Sequence, residues 1–480
     1  MSEILLSQDQ RAAVGAIVRH VRQGAAAPFR LAGPAGSGKT QVAAAAIRAA
    51  GLRPFDWPRF YGQLRDRGGD PDAIEDQAGT YVAMALTRRA AANLARRGLS
   101  ARTIHSAAYA PSLKYDERLT AEIADAETKI AELETAVERA TEAGDDAEVA
   151  KLVKKIFTLR GRIEELEDPD WSFSPIAVSK CAAIVVDEST LVSVDMAAEL
   201  ESVGHPVVWI GDPYQLPPIE PGRRNQRPRE HFTRENADAT LTTVHRQGDN
   251  GVLQLATRLR RGEPLKPFEG QDVQVRPTAR LLADMEAQPG PFLCERSLFL
   301  TDTHERRQFF NLRLREIEGK TTWRPAAGDR ILIRRNAPDA DLSNGDVITL
   351  ESVTWERDAN AFVAWRWRLA ETGDERVQPI ALVAKSLTRT YGQHRYPMLN
   401  RDAIKAKKIT PILCDYGFAI TTHSAQGSER DAVVLAGKWL GGKWSDVRMR
   451  FVYTALTRAR HRARLYVPPL AGVAASRAAR

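Results

Sequence analysis

One segment near the N-terminus constrains the fold more than any other: a short apolar strand, a Gly-rich turn and an Ala-rich helix follow one another directly. The apolar run covers Phe29–Ala32, and the residues from position 33 read Gly-Pro-Ala-Gly-Ser-Gly-Lys-Thr up to Thr40. Such a turn, placed between a strand and a helix N-terminus, binds phosphate because its backbone N–H groups point at the anion. The segment therefore predicts a nucleotide-binding domain of the α/β class.

Two side chains of this Walker A loop carry its chemistry. Lys39 is expected to reach the β- and γ-phosphates of a nucleotide, and the Thr40 hydroxyl is expected to ligate Mg²⁺. A carboxylate partner follows at the end of a second apolar run, where Val186 precedes Asp187 and Glu188. Two acids in this place could simply cap a strand. Together with the loop, they predict that Asp187 holds the metal and that Glu188 orients or deprotonates the attacking water.

Short apolar runs recur along the chain and alternate with helical stretches. They cover residues 81–86, 182–186, 206–210, 297–300, 419–422, 432–435 and 464–467. This alternation indicates α/β layers with parallel sheets. With 480 residues, the chain is long enough for two to four domains.

Two segments break the alternation. In residues 116–168, apolar side chains keep a 4-3 spacing on both sides of a Gly-Asp turn, which predicts an antiparallel coiled coil about 30 Å long. Residues 329–383 are rich in alternating β-formers around the turn Asn344-Gly345, which predicts a small antiparallel barrel.

Charge is distributed unevenly between these parts. The chain has a formal charge of +8, and residues 116–168 contain 16 acidic and 8 basic side chains. The remaining chain therefore carries +16, which favours a polyanionic partner such as a nucleic acid. The acidic arm is a docking site for a protein, a braced wedge, or a solvated insertion without a partner.

Other features exclude several classes of protein. The three cysteines, Cys181, Cys294 and Cys414, lie far apart, so neither a disulfide framework nor a zinc site is expected. The N-terminus has no signal-peptide pattern, and no apolar run approaches the length of a membrane span. We expect a cytoplasmic protein without a membrane partner.

Further motifs give the chain a resemblance to superfamily 1 helicases, specifically the RecD-like and phage Dda-like branch. They are residues 7–10 (Q-motif), 85–91 (motif Ia), 103–106 (its follower), 211–218 (motif III), 241–247 (motif IV), 418–429 (motif V) and 453–460 (motif VI). Motif III, Gly-Asp-Pro-Tyr-Gln-Leu-Pro-Pro, is the most specific run. The resemblance implies two RecA-like P-loop lobes with parallel sheets, the coiled coil in the first lobe and an SH3-like barrel in the second.

The resemblance also assigns roles to residues. Gln10 is expected to read adenine, Gln215 to couple the γ-phosphate to the DNA track, and Arg246 and Arg458 to act as arginine fingers. Either arginine alone would be read as a surface charge. The nucleotide-binding set is Gln10, Gly33, Pro34, Ala35, Gly36, Ser37, Gly38, Lys39, Thr40, Gln41, Gly427 and Glu429.

The remaining predicted site residues fall into three groups. The catalytic set is Lys39, Glu188, Gln215, Arg246 and Arg458, the metal ligands are Thr40 and Asp187, and the DNA contacts are Thr87, His105, Thr422 and His423. For the four DNA contacts, helix capping or ordinary surface polarity is the alternative.

Three positions depart from the family pattern. Motif II, residues 187–190, has Ser189 as its third residue where a small apolar one is usual. Motif Ia has Leu86 where proline is usual, and motif IV has His245 in place of an aromatic. None of these changes removes a catalytic group. They bear on the DNA track more than on ATP hydrolysis.

The sequence and this resemblance therefore predict a monomeric ATP- and Mg²⁺-dependent helicase that acts on single-stranded and forked DNA. The resemblance implies movement in the 5′ to 3′ direction. The predicted domains are lobe 1A (1–115 and 169–235), the arm at the 1B position (116–168), lobe 2A (236–327 and 410–470), the 2B barrel (328–409) and a tail (471–480). An RNA-directed translocase and a DNA-binding scaffold with an ATP switch, whose arm recruits partners, are the alternatives.

Overall fold

The computed structural model describes most of the chain. The described residues are 6–66, 74–112, 117–143, 145, 148–149, 151–152, 155–156, 159, 170–175, 177–218, 229–244, 250–266, 268–383, 387, 399–437 and 445–468. They form two α/β lobes, a small β-barrel and a long helix with an apolar seam.

The first lobe is built around a sheet whose pairings are all parallel. Its elements are α1 (Gln8–Arg22), β1 (Phe29–Ala32), α2 (Lys39–Ala49), β2 (Arg53–Pro54), α3 (Trp57–Asp66), β3 (Thr80–Ala85), α4 (Arg88–Arg96), β4 (Ala101–Thr103), α5 (Ile104–Ala108), β5 (Tyr109–Ser112), α6 (Glu117–Glu142), β6 (Asp170–Phe173), β7 (Ala183–Asp187), α7 (Val194–Glu201), β8 (Val207–Gly211) and β9 (Ala239–Thr240). Strands β5 and β6 pair separately, at the base of the arm.

Strand order places the catalytic segments at one edge of this sheet. The order is β2-β3-β7-β8-β1-β9, with β4 also paired to β3. Because parallel strands end at the same edge, the loops after β1, β7 and β8 converge there. Strand β9 is part of this sheet, so the predicted lobe boundary at residue 235 was too early. The strand pairs with β1 over two residues, which is too short to show a periodic signal.

The second lobe is a mostly parallel sheet of order β10-β11-β21-β20-β12-β19. Its elements are α8 (Gly251–Arg260), β10 (Phe268–Glu269), β11 (Val273–Pro277), α9 (Leu281–Ala287), α10 (Gly290–Leu293), β12 (Ser297–Thr301), α11 (His304–Ile317), β19 (Ala419–Thr421), β20 (Arg430–Ala436), α13 (Asp446–Leu456) and β21 (Ala459–Val467). The strands predicted at 297–300, 432–435 and 464–467 are confirmed, each longer in the structure.

A closed barrel is inserted between α11 and β19. It contains β13 (Arg330–Ile333), β14 (Val347–Glu356), β15 (Ala361–Leu369), β16 (Glu375–Arg376), β17 (Ile380–Val383), α12 (Arg401–Ala406) and β18 (Thr410–Tyr416). The cycle β14-β13-β18-β17-β15 closes through pairing of β14 with β15. The predicted boundary at 409 was wrong, because β18 pairs with β13 and β17 as a barrel strand. The β17–β18 pair is parallel, so the barrel is not wholly antiparallel.

A buried ion pair fixes the barrel to the second lobe. The Arg315 guanidinium on α11 donates two 3.0 Å hydrogen bonds to the carboxylate of Asp329, at the entrance to the barrel. Both side chains are almost fully buried. A paired and hydrogen-bonded charge of this kind costs several kcal/mol to break, roughly 3–5. It therefore fixes the orientation of the barrel on α11.

In the described part of the arm, a long helix and an apolar seam can be identified. Helix α6 has 26 residues, a length of about 39 Å at 1.5 Å per residue. Its Ile130 and Val137 form an apolar cluster with Leu152 and Ile156, from beyond the predicted turn. These four positions belong to the predicted 4-3 pattern. Much of the returning segment lies outside the described residues.

No helix among the described residues has both the length and the apolar character needed to span a membrane.

Candidate active site

The phosphate-binding loop has the backbone that its glycines require. Gly36 and Gly38 adopt φ angles of 80° and 82°, a region that L side chains rarely enter. Gly38 is also the N-cap of α2, so the next N–H groups begin a helix. The Lys39 ammonium donates hydrogen bonds to the carbonyls of Gly33 and Pro34, at 2.8 and 2.9 Å. The loop therefore carries its cation at the mouth of the phosphate cradle.

Gln10 fastens this loop to the first helix. It closes a capping box with Ser7, and its amide N–H donates to the Ser37 carbonyl at 2.9 Å. A Cβ at Gly38 would lie 2.6 Å from the Gln10 amide nitrogen. The Gln10 side chain is therefore packed directly on the turn, where it was predicted to meet adenine. Its contact with the base stays a prediction.

The predicted metal ligands lie together. The Thr40 hydroxyl donates to the Asp187 carboxylate at 2.9 Å, joining the start of α2 to the end of β7. Asp187 also accepts the backbone N–H of Glu188 at 2.8 Å. Burial raises the pKa of Asp187, and these hydrogen bonds and Lys39 oppose the rise. A hydroxyl and a carboxylate are hard oxygen donors of the kind that Mg²⁺ prefers, so the pair suits this metal.

Glu188 has an unusual backbone. Its φ of 53° is left-handed, which costs a non-glycine residue about 1–3 kcal/mol and is common at active sites. Burial raises the pKa of its carboxyl, and Arg458 and Lys39 counteract the rise while Asp187 and Asp212 reinforce it. Glu188 lines the cleft between the lobes.

The second lobe contributes Arg458. Its guanidinium donates to the Gln215 side-chain oxygen at 3.3 Å and is held from behind by the Thr454 carbonyl at 3.1 Å. Two more bonds cross the lobe boundary: the Leu216 N–H donates to the Thr454 hydroxyl at 2.9 Å, and the Tyr453 hydroxyl donates to Asp212 at 2.8 Å. Motifs III and VI are thus directly connected.

These side chains surround a cleft of about 640 Å³ between the lobes. Its lining includes Gln10, Ala35, Gly36, Gly38, Lys39, Thr40, Gln41, Ala90, Asn93, Arg96, Arg97, Asp187, Glu188, Gly211, Asp212, Gln215, Gly427, Glu429, Arg458 and Arg460. Three of the predicted nucleotide-binding residues, Gly33, Pro34 and Ser37, do not line the cleft. The carbonyls of Gly33 and Pro34 accept hydrogen bonds from Lys39, and the carbonyl of Ser37 accepts one from Gln10. The predicted arginine finger Arg246 lies outside the described residues.

Helix α4 supplies cleft residues that the sequence did not single out. Asn93 and Arg96 on α4, and Arg97 directly after it, line the cleft. The Asn93 amide donates to the Gly427 carbonyl at 3.3 Å, and the Arg89 guanidinium donates to the Ser428 hydroxyl. Motif Ia therefore contacts motif V beside the nucleotide pocket. The basic residues that recur in this segment, Arg88, Arg89, Arg96 and Arg97, were the available signal in the sequence.

The four predicted DNA contacts are placed differently from one another. Thr87 caps α4 by accepting the Ala90 N–H at 3.1 Å, and Thr422 is buried with both its N–H and its hydroxyl bonded to the Thr301 carbonyl. Burial lowers the pKa of His105, and it lowers that of His423 to about 4. Both rings are therefore neutral at physiological pH. A contact with DNA through them would be stacking or hydrogen bonding, not an ion pair.

The cleft between the two α/β lobes combines a phosphate loop, a Thr–Asp pair and a glutamate with an arginine from the opposite lobe. This arrangement defines a P-loop ATPase whose first lobe has a RecA-like parallel sheet. Residues 5–274 match the family model of the AAA domain, and residues 416–466 match the UvrD-like helicase C-terminal domain. The chain belongs to the AAA-domain family and is a superfamily 1 helicase, an ATP-hydrolysing enzyme.

Similar solved structures include Pif1 helicases. The Pif1 helicase of Candida albicans is 16% identical to this chain with a TM-score of 0.45, and the match covers 97% of this chain and 95% of that one. The Bacteroides enzyme in complex with ADP-AlF3 and ssDNA has 13% identity and a TM-score of 0.45, at 96% and 92% coverage. A Pif1 structure describing unwinding at forked dsDNA has 14% identity and a TM-score of 0.47, at 96% and 92% coverage. No curated protein matches the chain.

Proposed function

We propose that this helicase uses Mg²⁺ and ATP to move along single-stranded DNA in the 5′ to 3′ direction and to separate duplex ahead of it. The observation that carries the proposal is the contact of Arg458 with Gln215 across the cleft that holds Lys39, Thr40, Asp187 and Glu188. It makes the arrangement of the two lobes sensitive to what occupies the phosphate site.

Each side chain has a defined task in hydrolysis. Lys39 binds the β- and γ-phosphates, Thr40 and Asp187 hold the metal, and Glu188 accepts a proton from the attacking water. Mg²⁺ bound with ATP would supply charge neutralisation at the phosphate oxygens. Arg458 neutralises charge that develops on the γ-phosphate, together with Arg246 from motif IV. Burial that raises the pKa of Glu188 makes its carboxylate a stronger base.

Movement follows from the same contacts. When Arg458 turns from Gln215 toward a γ-phosphate, the bonds of Tyr453 and Thr454 to the first lobe hold the two lobes in register. Hydrolysis removes the group that Arg458 binds and releases this state. Alternating closure moves a strand that crosses the carboxyl edges of both sheets, near Thr87, His105, Thr422 and His423. The charge of +16 outside the arm favours such a polyanionic track.

The experiment for this proposal uses tailed duplexes and two nucleic acids. We expect single-stranded DNA to stimulate ATP hydrolysis and a duplex with a 5′ tail to be unwound in preference to one with a 3′ tail. Stronger stimulation by RNA of the same sequence would favour an RNA-directed translocase. Preference for the 3′ tail would reverse the direction, and slow ATP turnover unaffected by either nucleic acid would favour a scaffold with an ATP switch.

The arm is proposed to be an antiparallel coiled coil at the 1B position, and the barrel to be the SH3-like 2B element. The seam of Ile130, Val137, Leu152 and Ile156 supports the coiled coil. The net charge of −8 in residues 116–168 keeps the arm away from phosphate, so it either braces duplex separation or binds a protein partner.

Removing the arm should not stop ATP hydrolysis, because the residues of the ATP site lie on other elements of the first lobe. We expect replacement of residues 117–167 by a short Gly/Ser linker to leave DNA-stimulated ATPase activity within a few fold. If the arm braces separation, unwinding should slow while ATP turnover continues. Unchanged unwinding would identify it as a docking arm.

A single charge in the seam should reproduce this result. Ile130→Asp puts a carboxylate where Ile130 is 8% exposed, at a cost that destabilises the arm. Ala131→Asp adds the same charge at the next, exposed position and should have no effect. For the variant that lacks residues 117–167, loss of all ATPase activity in folded, soluble protein would mean that the hairpin belongs to the core of the first lobe.

A further inference from the structure

Helix α3 and strand β4 carry an aromatic surface that lies outside the nucleotide cleft. On α3, the rings of Trp57 and Tyr61 stack with centroids 5.9 Å apart and an interplanar angle of 29°. The Arg102 guanidinium, from β4, lies 4.2 Å from the Trp57 ring centroid and 5.6 Å from that of Tyr61. It also donates to the Tyr61 hydroxyl at 3.3 Å. We call Trp57, Tyr61 and Arg102 the stacking platform.

The buried side of the platform packs against the core of the first lobe. Trp57 and Phe60 are buried in the same apolar cluster as Ile104 and Ala107 of α5. Phe55 adds edge-to-face contact with Trp57 at 4.9 Å. Tyr61 is different: 44% of it is exposed, which makes it one of the most exposed large rings in the described part of the chain. Its position is therefore fixed by packing, although its outer surface is open.

The charge of the platform is positive. Among the residues that the structure describes, no carboxylate forms an ion pair with Arg102, whereas the neighbouring Arg59 is paired with Glu75. A guanidinium beside exposed aromatic surface attracts an anion and an aromatic ring together. A nucleotide of an unpaired strand provides both groups, a phosphate and a base with a π-face.

The platform stands next to the predicted DNA track. Strand β4 pairs with the carboxyl end of β3, and Arg102 lies on β4 three residues before His105. Helix α3 follows β2, which pairs with the other end of the same β3 strand. At the carboxyl end of β3, Arg102 pairs with Met84 and directly precedes Thr103, the cap of the helix that carries His105. Tyr61 reaches this edge through its hydrogen bond with Arg102.

We propose that the stacking platform binds one unpaired base of single-stranded DNA at the outer margin of the first lobe, with Tyr61 stacked on the base and Arg102 near its phosphate. This inference rests on the proposed function, since it places an additional nucleotide contact beside the same track. It extends the track beyond the motifs and gives a role to α3, which contains none of them.

The test compares an ordinary oligonucleotide with one that lacks bases. We expect Tyr61→Ala to weaken binding of a dT oligonucleotide about tenfold, because stacking of one base contributes on that order. Binding of an abasic oligonucleotide of the same length should change by less than about twofold, since stacking is absent there. The DNA concentration for half-maximal ATPase stimulation should rise about tenfold, with the rate at saturating DNA unchanged.

Two variants control for other causes. Tyr61→Phe keeps the ring and should bind both oligonucleotides as the unmodified chain does. Arg59→Ala removes an exposed, paired cation from the same helix and should not distinguish the two oligonucleotides. Equal weakening of dT and abasic binding by Tyr61→Ala, or no weakening at all, would overturn the platform. If the unmodified chain neither binds single-stranded DNA nor responds to it, the proposed function fails, and this inference with it.

Discussion

Lys39→Ala should abolish DNA-stimulated ATP hydrolysis. The Lys39 ammonium is held by two loop carbonyls at the mouth of the phosphate cradle, and the turn around it is made of backbone groups without charge. Removal of the ammonium leaves the β- and γ-phosphates without their mobile cation in the transition state. Steady-state ATPase rates at saturating single-stranded DNA should fall by far more than tenfold.

A matched control separates the loss of this contact from general loss of charge. Lys180→Ala removes a lysine from the same lobe, where its ammonium pairs with Asp76 at 3.1 Å. It should leave the rate nearly unchanged. If Lys39→Ala keeps its turnover within about tenfold, roughly 1.4 kcal/mol of barrier, the phosphate site is assigned to the wrong residues.

The parts of this fold that the sequence predicts well are those determined by neighbouring residues. The strand Phe29–Ala32, the turn with Gly36 and Gly38 at positive φ, and the helix from Lys39 depend on local propensity and backbone freedom. The strand that carries Asp187 has a continuous apolar run for the same reason: it is buried on both faces of a parallel sheet.

The parts that the sequence predicts poorly depend on pairings between distant residues. Strand β9 adds to β1 through two residues more than 200 positions away, and β18 joins the barrel after a long connection. Neither pairing leaves a periodic pattern, because side-chain alternation reports a strand's faces and not its partner. The lobe boundaries at 235 and 409 were wrong for this reason.

The candidate site divides in a similar way. Motif residues gave Lys39, Thr40, Asp187 and Glu188, which the structure places around one cleft. The partners that orient them are less visible in sequence. Asp212 meets Tyr453 from the other lobe, a contact that requires both sheets to be folded and apposed.

Contacts with DNA are still harder to predict from the sequence. The hydroxyl groups of Thr87 and Thr422 are already bonded within the protein. A motif identifies such a residue but does not distinguish a hydroxyl that meets DNA from one that holds the loop in shape. For Thr87, His105, Thr422 and His423, contact with DNA therefore stays a prediction.

Glu188→Gln should stop hydrolysis while nucleotide binding continues. The amide has the shape of the carboxylate and should tolerate the same left-handed backbone about as well, but it cannot accept the proton of the attacking water. General-base catalysis contributes roughly 10²–10⁴ in rate, so the ATPase rate should fall by at least about a hundredfold. The metal-binding pair of Thr40 and Asp187 is untouched, so affinity for Mg²⁺ and ATP should change only a few fold.

The variant should also become trapped on DNA. With ATP bound and not hydrolysed, Arg458 keeps its γ-phosphate partner, and the lobes stay in the closed state that Tyr453 and Thr454 support. Single-stranded DNA should therefore dissociate more slowly in the presence of ATP than in its absence, as measured by competition with unlabelled strand. Glu235→Gln, an exposed change of the same kind, is the control and should behave as the unmodified chain. Loss of nucleotide affinity without a trapped complex would mean that Glu188 shapes the site and does not act as its base.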